Sequence, residues 1–169
     1  MRHIFGPVPS RRLGFSLGID IIPAKTCTLN CVYCQLGPTA CPTLKRKPYV
    51  TTKTILAEIT TVLKDNPAID YLTFSGSGEP TLNSEIGKMI QKVKKITTIP
   101  VTVLTNGTLL YIPEVRRSLM DADVVLPSLD AASEPVFRRI NRPHPNLNLE
   151  LIIEGLRRFG KEYRGKIWL

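Results

Sequence analysis

Short apolar runs alternate with longer amphipathic stretches along most of the chain. The apolar runs predict five strands, at residues 17–22, 71–74, 101–104, 124–127 and 166–169. Between them, apolar residues recur at helical spacing, as Ile55, Ile59 and Leu63 do. This period predicts helices at about 52–64, 84–94, 113–120 and from about 149, with a short helical turn around 136–137. Thr51 or Thr52 is positioned to cap the first helix.

Strands that alternate with amphipathic helices indicate successive right-handed βαβ units, and so an α/β fold with a parallel sheet. Periodicity alone does not decide whether such a sheet curls into a barrel or stays open. Strands of a parallel sheet need cover on both faces, yet no helix follows the fifth predicted strand. We therefore expect one domain over residues 1–169 that is incomplete at its C-terminal end, through truncation or because a partner supplies the rest.

The composition is that of a globular protein with an excess of positive charge. Lys and Arg number 23 against 14 Asp and Glu, which gives a formal net charge of +9. The surplus would attract an anionic partner such as nucleic acid, although scattered positive residues also suit a solvated surface. No apolar run approaches the roughly 20 residues of a spanning helix, and the first residues lack the apolar region of a signal peptide. We expect a cytoplasmic protein with no membrane partner.

Three of the four cysteines, Cys27, Cys31 and Cys34, lie within eight residues of a predicted loop. Clustered cysteines in a reducing compartment indicate metal or redox chemistry rather than disulfides. Thiolate sulfur is the soft ligand that iron–sulfur clusters require. With three cysteines, one iron of a four-iron cluster keeps an open position where a small molecule can bind.

A structural zinc site is the alternative for the same cysteines, with Cys41 or His3 as the fourth ligand. Structural zinc sites usually pair two short cysteine motifs, and this chain has one. Outside such a site, Cys41 would be an ordinary thiol in a proline-containing loop.

The pattern CTLNCVYC, with Tyr33 just before the last cysteine, resembles the signature of the radical-SAM superfamily. The resemblance implies a partial parallel (β/α) barrel, here ending after about five strands. It also implies a [4Fe–4S] cluster on Cys27, Cys31 and Cys34 whose open iron binds S-adenosylmethionine. The reduced cluster would cleave that cofactor to a 5′-deoxyadenosyl radical, and a flavodoxin or ferredoxin would supply the electron. The resemblance therefore implies an oxidoreductase-like enzyme.

Further motifs follow the later strands, and the resemblance implies roles for them in binding S-adenosylmethionine. In SGSGEP, Gly78, Glu79 and Pro80 would accept hydrogen bonds from the methionyl amino group. The loop TNG contributes Asn106. Because the C-terminal ends of parallel strands share one edge of the sheet, these loops and the cysteines should converge. Taken alone, SGSGEP and TNG are also ordinary turn sequences, and Glu79 would favour a helix N-terminus.

Three more residues receive roles from the same resemblance. In SLD, Ser128 and Asp130 would hold the ribose hydroxyls, although Asp130 could instead cap the next helix. Arg138 would form a bidentate pair with the methionyl carboxylate. The backbone of Tyr33 would pack near the adenine.

The leader GPVPSRRLGFSLGID and the CQLG after the last cysteine narrow the resemblance to Fe–S oxidoreductases related to the wyosine tRNA-modifying synthases. This kinship implies a tRNA base or another anionic substrate. The open alternatives are an activating enzyme that acts on a protein glycine, and a zinc-binding interaction module without enzymatic activity. Arg11 and Arg12 would bind substrate phosphate or cover the base of the barrel.

Overall fold

The computed structural model describes residues 3–39, 42–65 and 68–169. The bounds of the helices and strands are β1 Ile4–Ser10, β2 Gly14–Ile19, α1 Thr52–Lys64, β3 Tyr71–Phe74, α2 Ile86–Val93, β4 Val101–Thr105, α3 Pro113–Leu119, β5 Val124–Pro127, α4 Glu134–Ile140, α5 Leu149–Glu162 and β6 Lys166–Ile167. Helices and strands alternate from β2 to β5, with an extra strand before them and two successive helices after β5. A single 3₁₀ turn, Pro80–Leu82, lies between β3 and α2. None of the helices in these three ranges is long and apolar enough to cross a bilayer.

The strands form one open sheet in the order β1-β2-β3-β4-β5-β6. From β2 to β6 every neighbouring pair is parallel, so each helical connection returns the chain to the next strand position. This arrangement confirms the predicted α/β fold. The sheet does not close on itself, as expected for a partial barrel.

The first strand was missed by the sequence pattern. Strand β1 pairs antiparallel with β2 and bulges between Phe5 and Val8. Its sequence, IFGPVPS, contains two prolines, which suit an edge strand because they donate no ladder hydrogen bond but which hide the strand from a pattern search. The predicted strand at 17–22 is also shifted, because β2 ends at Ile19. The carboxylate of Asp20 accepts from the backbone N–H groups of Ile22 and Ser77, and this draws the chain out of the sheet.

The main core lies between one face of the sheet and helices α1–α3. Val101 and Val103 of β4 belong to it, together with Met89 and Ile90 of α2. A second, smaller cluster joins α4 and α5 to the cysteine loop through Leu29, Phe137 and Ile152, with Cys27 and Cys31 packed against it, among other residues. The cysteine loop is therefore held from one side by the last two helices.

Helix α5 crosses the backbone after β4 at very short range. A Cβ atom added at Gly155 would lie 2.4 Å from the amide nitrogen of Tyr111 and 2.7 Å from the carbonyl carbon of Leu110. Backbone atoms cannot rotate away as a side chain can. The close approach thus requires glycine at this helical position.

We expect Gly155→Ala to lower the free energy of unfolding by about 1–3 kcal/mol, because α5 must move away from residues 110–111. Gly160→Ala in the same helix is the matched control, since a Cβ there meets nothing within 4 Å. The control should gain up to about 1 kcal/mol from helix propensity. Urea unfolding of both variants measures the difference, and equal stabilisation by both would contradict this packing.

Candidate functional site

The three clustered cysteines lie on an irregular loop that follows β2. Two turn hydrogen bonds shape this loop, from Cys34 N to Cys31 O at 3.2 Å and from Gly37 N to Cys34 O at 3.0 Å. All three thiols are half-buried. The loop is anchored to neighbouring segments, since the carbonyl of Cys27 accepts from Thr43 N at 2.9 Å and that of Thr26 accepts from Glu79 N at 3.0 Å.

A side-chain nitrogen donor approaches each of the three cysteine sulfurs. The Nδ2 atom of Asn106 lies 3.5 Å from the Sγ of Cys27. Asn141 Nδ2 is at the same distance from Cys31 Sγ, and Lys25 Nζ from Cys34 Sγ. Donors of this kind stabilise negative charge on sulfur, and hydrogen bonds to the sulfurs are among the features that set the potential of iron–sulfur clusters.

The Cys27 thiol is held in its neutral form in the absence of a metal. Burial raises the pKa of Cys27 to about 11, and the charge of nearby Glu79 adds to the rise. A metal centre would therefore have to displace the proton, as thiol ligands generally require.

The three cysteine thiols are chemically suited to ligate an iron–sulfur cluster. Three soft thiols on one short loop, each with its own N–H donor, are suited to such a cluster. No three Cys, His, Asp or Glu side chains in residues 3–39, 42–65 and 68–169 lie close enough together to hold a metal ion. Of the two proposed fourth ligands for zinc, Cys41 lies outside the described residues, and the ring Nδ1 of His3 is 3.1 Å from the carbonyl oxygen of Asp20.

Glu79 is the most heavily bonded residue of the site. Its buried carboxylate accepts hydrogen bonds from the amide and hydroxyl of Thr81, the hydroxyl of Thr105 and the amide of Asn106, at 2.5–3.0 Å. Burial raises the pKa of Glu79, and the four hydrogen bonds oppose part of that rise. Glu79 is also the N-cap of the 3₁₀ turn. It therefore also lies at the N-terminus of a helical turn, the structural role that the sequence offered as the alternative.

The SGSGEP loop packs tightly against the cysteine loop. A Cβ at Gly78 would lie 2.0 Å from the carbonyl oxygen of Thr26, so only glycine allows this approach. The carbonyls of Glu79 and Pro80 accept from Leu82 N and Asn83 N. Among the described residues, the Gly78 carbonyl accepts no hydrogen bond, and of the three predicted acceptors it is the one left for a methionyl amino group.

The TNG and SLD loops reach the same place from β4 and β5. Asn106, Ser128 and Asp130 line one small cavity with Asn141. The Asp130 carboxylate accepts from the Tyr33 hydroxyl at 2.6 Å, which joins the SLD loop to the cysteine loop. Asp130 does not cap α4 as the alternative required, because the N-cap position of α4 is Ser133.

Asn141 was not predicted from the sequence. It is 3% exposed at the C-terminal end of α4, and its amide also donates to the Tyr33 hydroxyl at 2.7 Å. Its carbonyl accepts from Asn30 N. A polar residue at a helix end is usually solvated, so the only available signal was its place in NRP, two residues before the proline that follows the helix.

Arg138 is drawn to other partners within the protein. Its Nε lies 2.6 Å from Glu134 Oε1 in an i,i+4 ion pair on α4, and its Nη2 donates to the carbonyl of Leu147. Binding a methionyl carboxylate would need the guanidinium to leave these partners. Its assignment stays a prediction from resemblance.

Comparison with known families agrees with the site. The model of the family described as the radical SAM superfamily matches residues 21–167. This chain belongs to the radical SAM superfamily. The family predicted from the cysteine motif is thereby confirmed.

Relatives share most of this chain but extend beyond it. It is 45% identical over 168 residues to a protein called GTPase Obg from Brachyspira hyodysenteriae, covering 99% of this chain and 25% of that protein. It is 40% identical over 169 residues to a UPF0026 protein of Methanocaldococcus jannaschii, covering 99% and 52%. The chain thus spans a quarter of the length of the first of these curated relatives and about half of the length of the second.

Two solved structures share the fold. Native anSMEcpe with bound AdoMet superposes with a TM-score of 0.62 at 20% identity, covering 90% of this chain and 42% of that one. The crystal structure of archaeal TYW1 superposes with a TM-score of 0.51 at 19% identity, covering 90% and 53%. At such low identity these likenesses establish the fold alone.

We expect Glu79→Gln to lower the free energy of unfolding by about 1–3 kcal/mol, because the NH2 group of glutamine cannot accept the hydrogen bonds that one of the two carboxylate oxygens accepts. Glu114→Gln is the control, since Glu114 is exposed in an i,i+3 pair with Arg117 and should change stability little. Urea unfolding at neutral pH compares the two. Equal midpoints for both variants would show that the four hydrogen bonds do not hold the loops.

Proposed function

We propose that this chain binds a [4Fe–4S] cluster through Cys27, Cys31 and Cys34 and reductively cleaves S-adenosylmethionine. Family membership supports this general reaction, and the observation that carries it to these residues is the separate nitrogen donor beside each sulfur. When bound, the reduced cluster supplies the electron that breaks the sulfonium C–S bond and yields a 5′-deoxyadenosyl radical. An electron donor such as a flavodoxin or ferredoxin belongs to the same proposal.

The protein's own residues bind and orient in this scheme. The Gly78 carbonyl would accept from the methionyl amino group, while Ser128 and Asp130 would hold the ribose hydroxyls. Tyr33 keeps Asp130 in place through its 2.6 Å hydrogen bond and lies next to Cys34, where its backbone would meet the adenine. The second cluster of apolar side chains, around Leu29 and Phe137, limits the access of water to Cys27 and Cys31.

We expect Cys31→Ala to lose most of its iron after anaerobic reconstitution, and with it the release of 5′-deoxyadenosine in the presence of dithionite. The physical reason is that the loop would then offer two thiolates where the proposed cluster needs three. The fourth cysteine provides a control, because Cys41→Ala should keep both its iron and the nucleoside release. Iron analysis and chromatography of the nucleoside are the measurements.

Two results would overturn this assignment. One is Cys31→Ala with unchanged iron and unchanged nucleoside. The other is a colourless wild-type protein that holds one tight zinc ion, which would favour the zinc-binding module instead.

We propose further that the substrate is anionic, with a tRNA base as the leading candidate. The net charge of +9 and the resemblance of the leader to the wyosine-related enzymes support this. The rival substrate is a glycine of another protein. That reaction would need no phosphate contacts.

We expect tRNA to be retained in filter binding at low salt and released steeply as salt rises. Each phosphate contact contributes about −0.7 to −0.9 to the slope of log affinity against log salt concentration. An uncharged or acidic protein of similar size serves as the control for the filter. Failure to retain tRNA at about 50 mM salt, where electrostatic binding is strong, would remove it as the substrate.

A further inference from the structure

The face of the sheet opposite helices α1–α3 carries two adjoining cavities. Leu104 of β4 and Leu126 of β5 alternate with the core residues Val103 and Val125, so they belong to this second face. The turn between β1 and β2 lies across from them. The two cavities have volumes of about 300 and 500 Å³ and share Arg12, Leu104 and Leu126 in their linings.

Two guanidinium groups lie at these cavities and have no anionic partner among the residues that the structure describes. Arg12 lines both cavities and Arg11 lines the larger one. Within the described ranges neither side chain forms an ion pair or hydrogen bond, whereas Arg116 and Arg158 are each paired with a glutamate. Two adjacent unpaired cations on an apolar wall favour an anion between them, because a planar guanidinium matches the oxygens of phosphate.

The carboxylate in these linings does not neutralise Arg12. Asp130 lines the smaller cavity, but its Oδ2 accepts from the hydroxyl of Tyr33 and lies 3.5 Å from Asn141 Nδ2. The cavity therefore has a free positive charge at one side and a bonded carboxylate at the other.

The smaller cavity connects the two arginines to the candidate site. Its lining runs from Arg12 past Leu126 to Ser128 and Asp130, the loop proposed to hold the ribose of S-adenosylmethionine. Trp168 lines the same cavity and offers a ring surface. A ligand held at Arg12 would extend over apolar side chains toward the place where the radical would form.

We propose that Arg12, assisted by Arg11, binds a phosphate group of the substrate in this cavity. The assignment rests on the proposed function for its catalytic meaning, and it narrows the substrate to a phosphate-bearing molecule. The phosphate is that of a small free metabolite or of a nucleic acid strand, since both present the same oxygens.

Trp168 makes the site measurable in the apoprotein. It is the single tryptophan of the chain and lines the cavity with Arg12. We expect inorganic pyrophosphate to change the tryptophan emission saturably, and Arg12→Gln to weaken its apparent affinity at least tenfold. Arg12→Lys, which keeps the charge but loses the fork, should fall between. Arg157→Gln, on α5 away from both cavities, is the matched control and should bind as wild type does.

Several results would overturn the proposal. They are no saturable response, equal loss in the Arg157→Gln control, or full affinity in Arg12→Gln. Because these titrations use protein without cluster, Cys31→Ala should bind pyrophosphate normally, so failure of the cluster assignment leaves this test intact. Loss of nucleoside release with intact pyrophosphate binding would in turn affect only the proposed function.

Two further measurements identify the source of the phosphate and test whether Arg12 binds S-adenosylmethionine instead. If the phosphate is that of tRNA, Arg12→Gln weakens tRNA retention as much as pyrophosphate binding. If it belongs to a small metabolite, tRNA retention is unchanged while pyrophosphate binding falls. In reconstituted protein the KM for S-adenosylmethionine in uncoupled cleavage should stay within about twofold; a tenfold rise would assign Arg12 to the methionyl carboxylate and overturn the proposal.

Discussion

The buried carboxylate of Glu79 is the interaction on which the arrangement of the site depends. Its two oxygens accept four hydrogen bonds, two from Thr81 within the loop after β3 and two from Thr105 and Asn106 at the end of β4. Its own amide donates to the carbonyl of Thr26 and so holds the cysteine loop. A buried charge is costly unless it is fully bonded. One of the hydrogen bonds that stabilise this charge comes from the amide of Asn106 and fixes that residue in place. The side chain of Asn106 in turn reaches Cys27 and Thr28.

The cysteine loop has little regular structure of its own, so its shape comes from its neighbours. Lys25, Asn106 and Asn141 each reach one sulfur from a different segment of the chain. Asn141 also ties α4 to the loop by its carbonyl and by Tyr33. Donors placed in advance around three sulfurs favour a bound cluster that carries negative charge, while burial keeps the Cys27 thiol protonated until a metal arrives.

The regular elements and the convergence of motifs could be predicted from the sequence, and the detailed bonding could not. Helices α1 and α2 follow the apolar period, and Thr51 accepts from Thr54 N at the cap expected for α1. Parallel strands place the GEP, TNG and SLD loops at one edge without any knowledge of side-chain geometry. Strand β1 was hidden by its prolines, and the role of Asn141 depends on contacts more than 100 residues apart in sequence. Arg138 was assigned from the family resemblance and from the fit of a guanidinium to a carboxylate, and neither could foresee its pairing with Glu134.

The most direct test of the central claim is Mössbauer spectroscopy of protein reconstituted with ⁵⁷Fe under anaerobic conditions, before and after addition of S-adenosylmethionine. The cluster has one iron without a cysteine ligand in this account. We therefore predict that the cofactor changes the signal of a single iron site and leaves the others unchanged. A cluster whose iron sites are all insensitive to the cofactor, or a protein that forms no cluster, would contradict it.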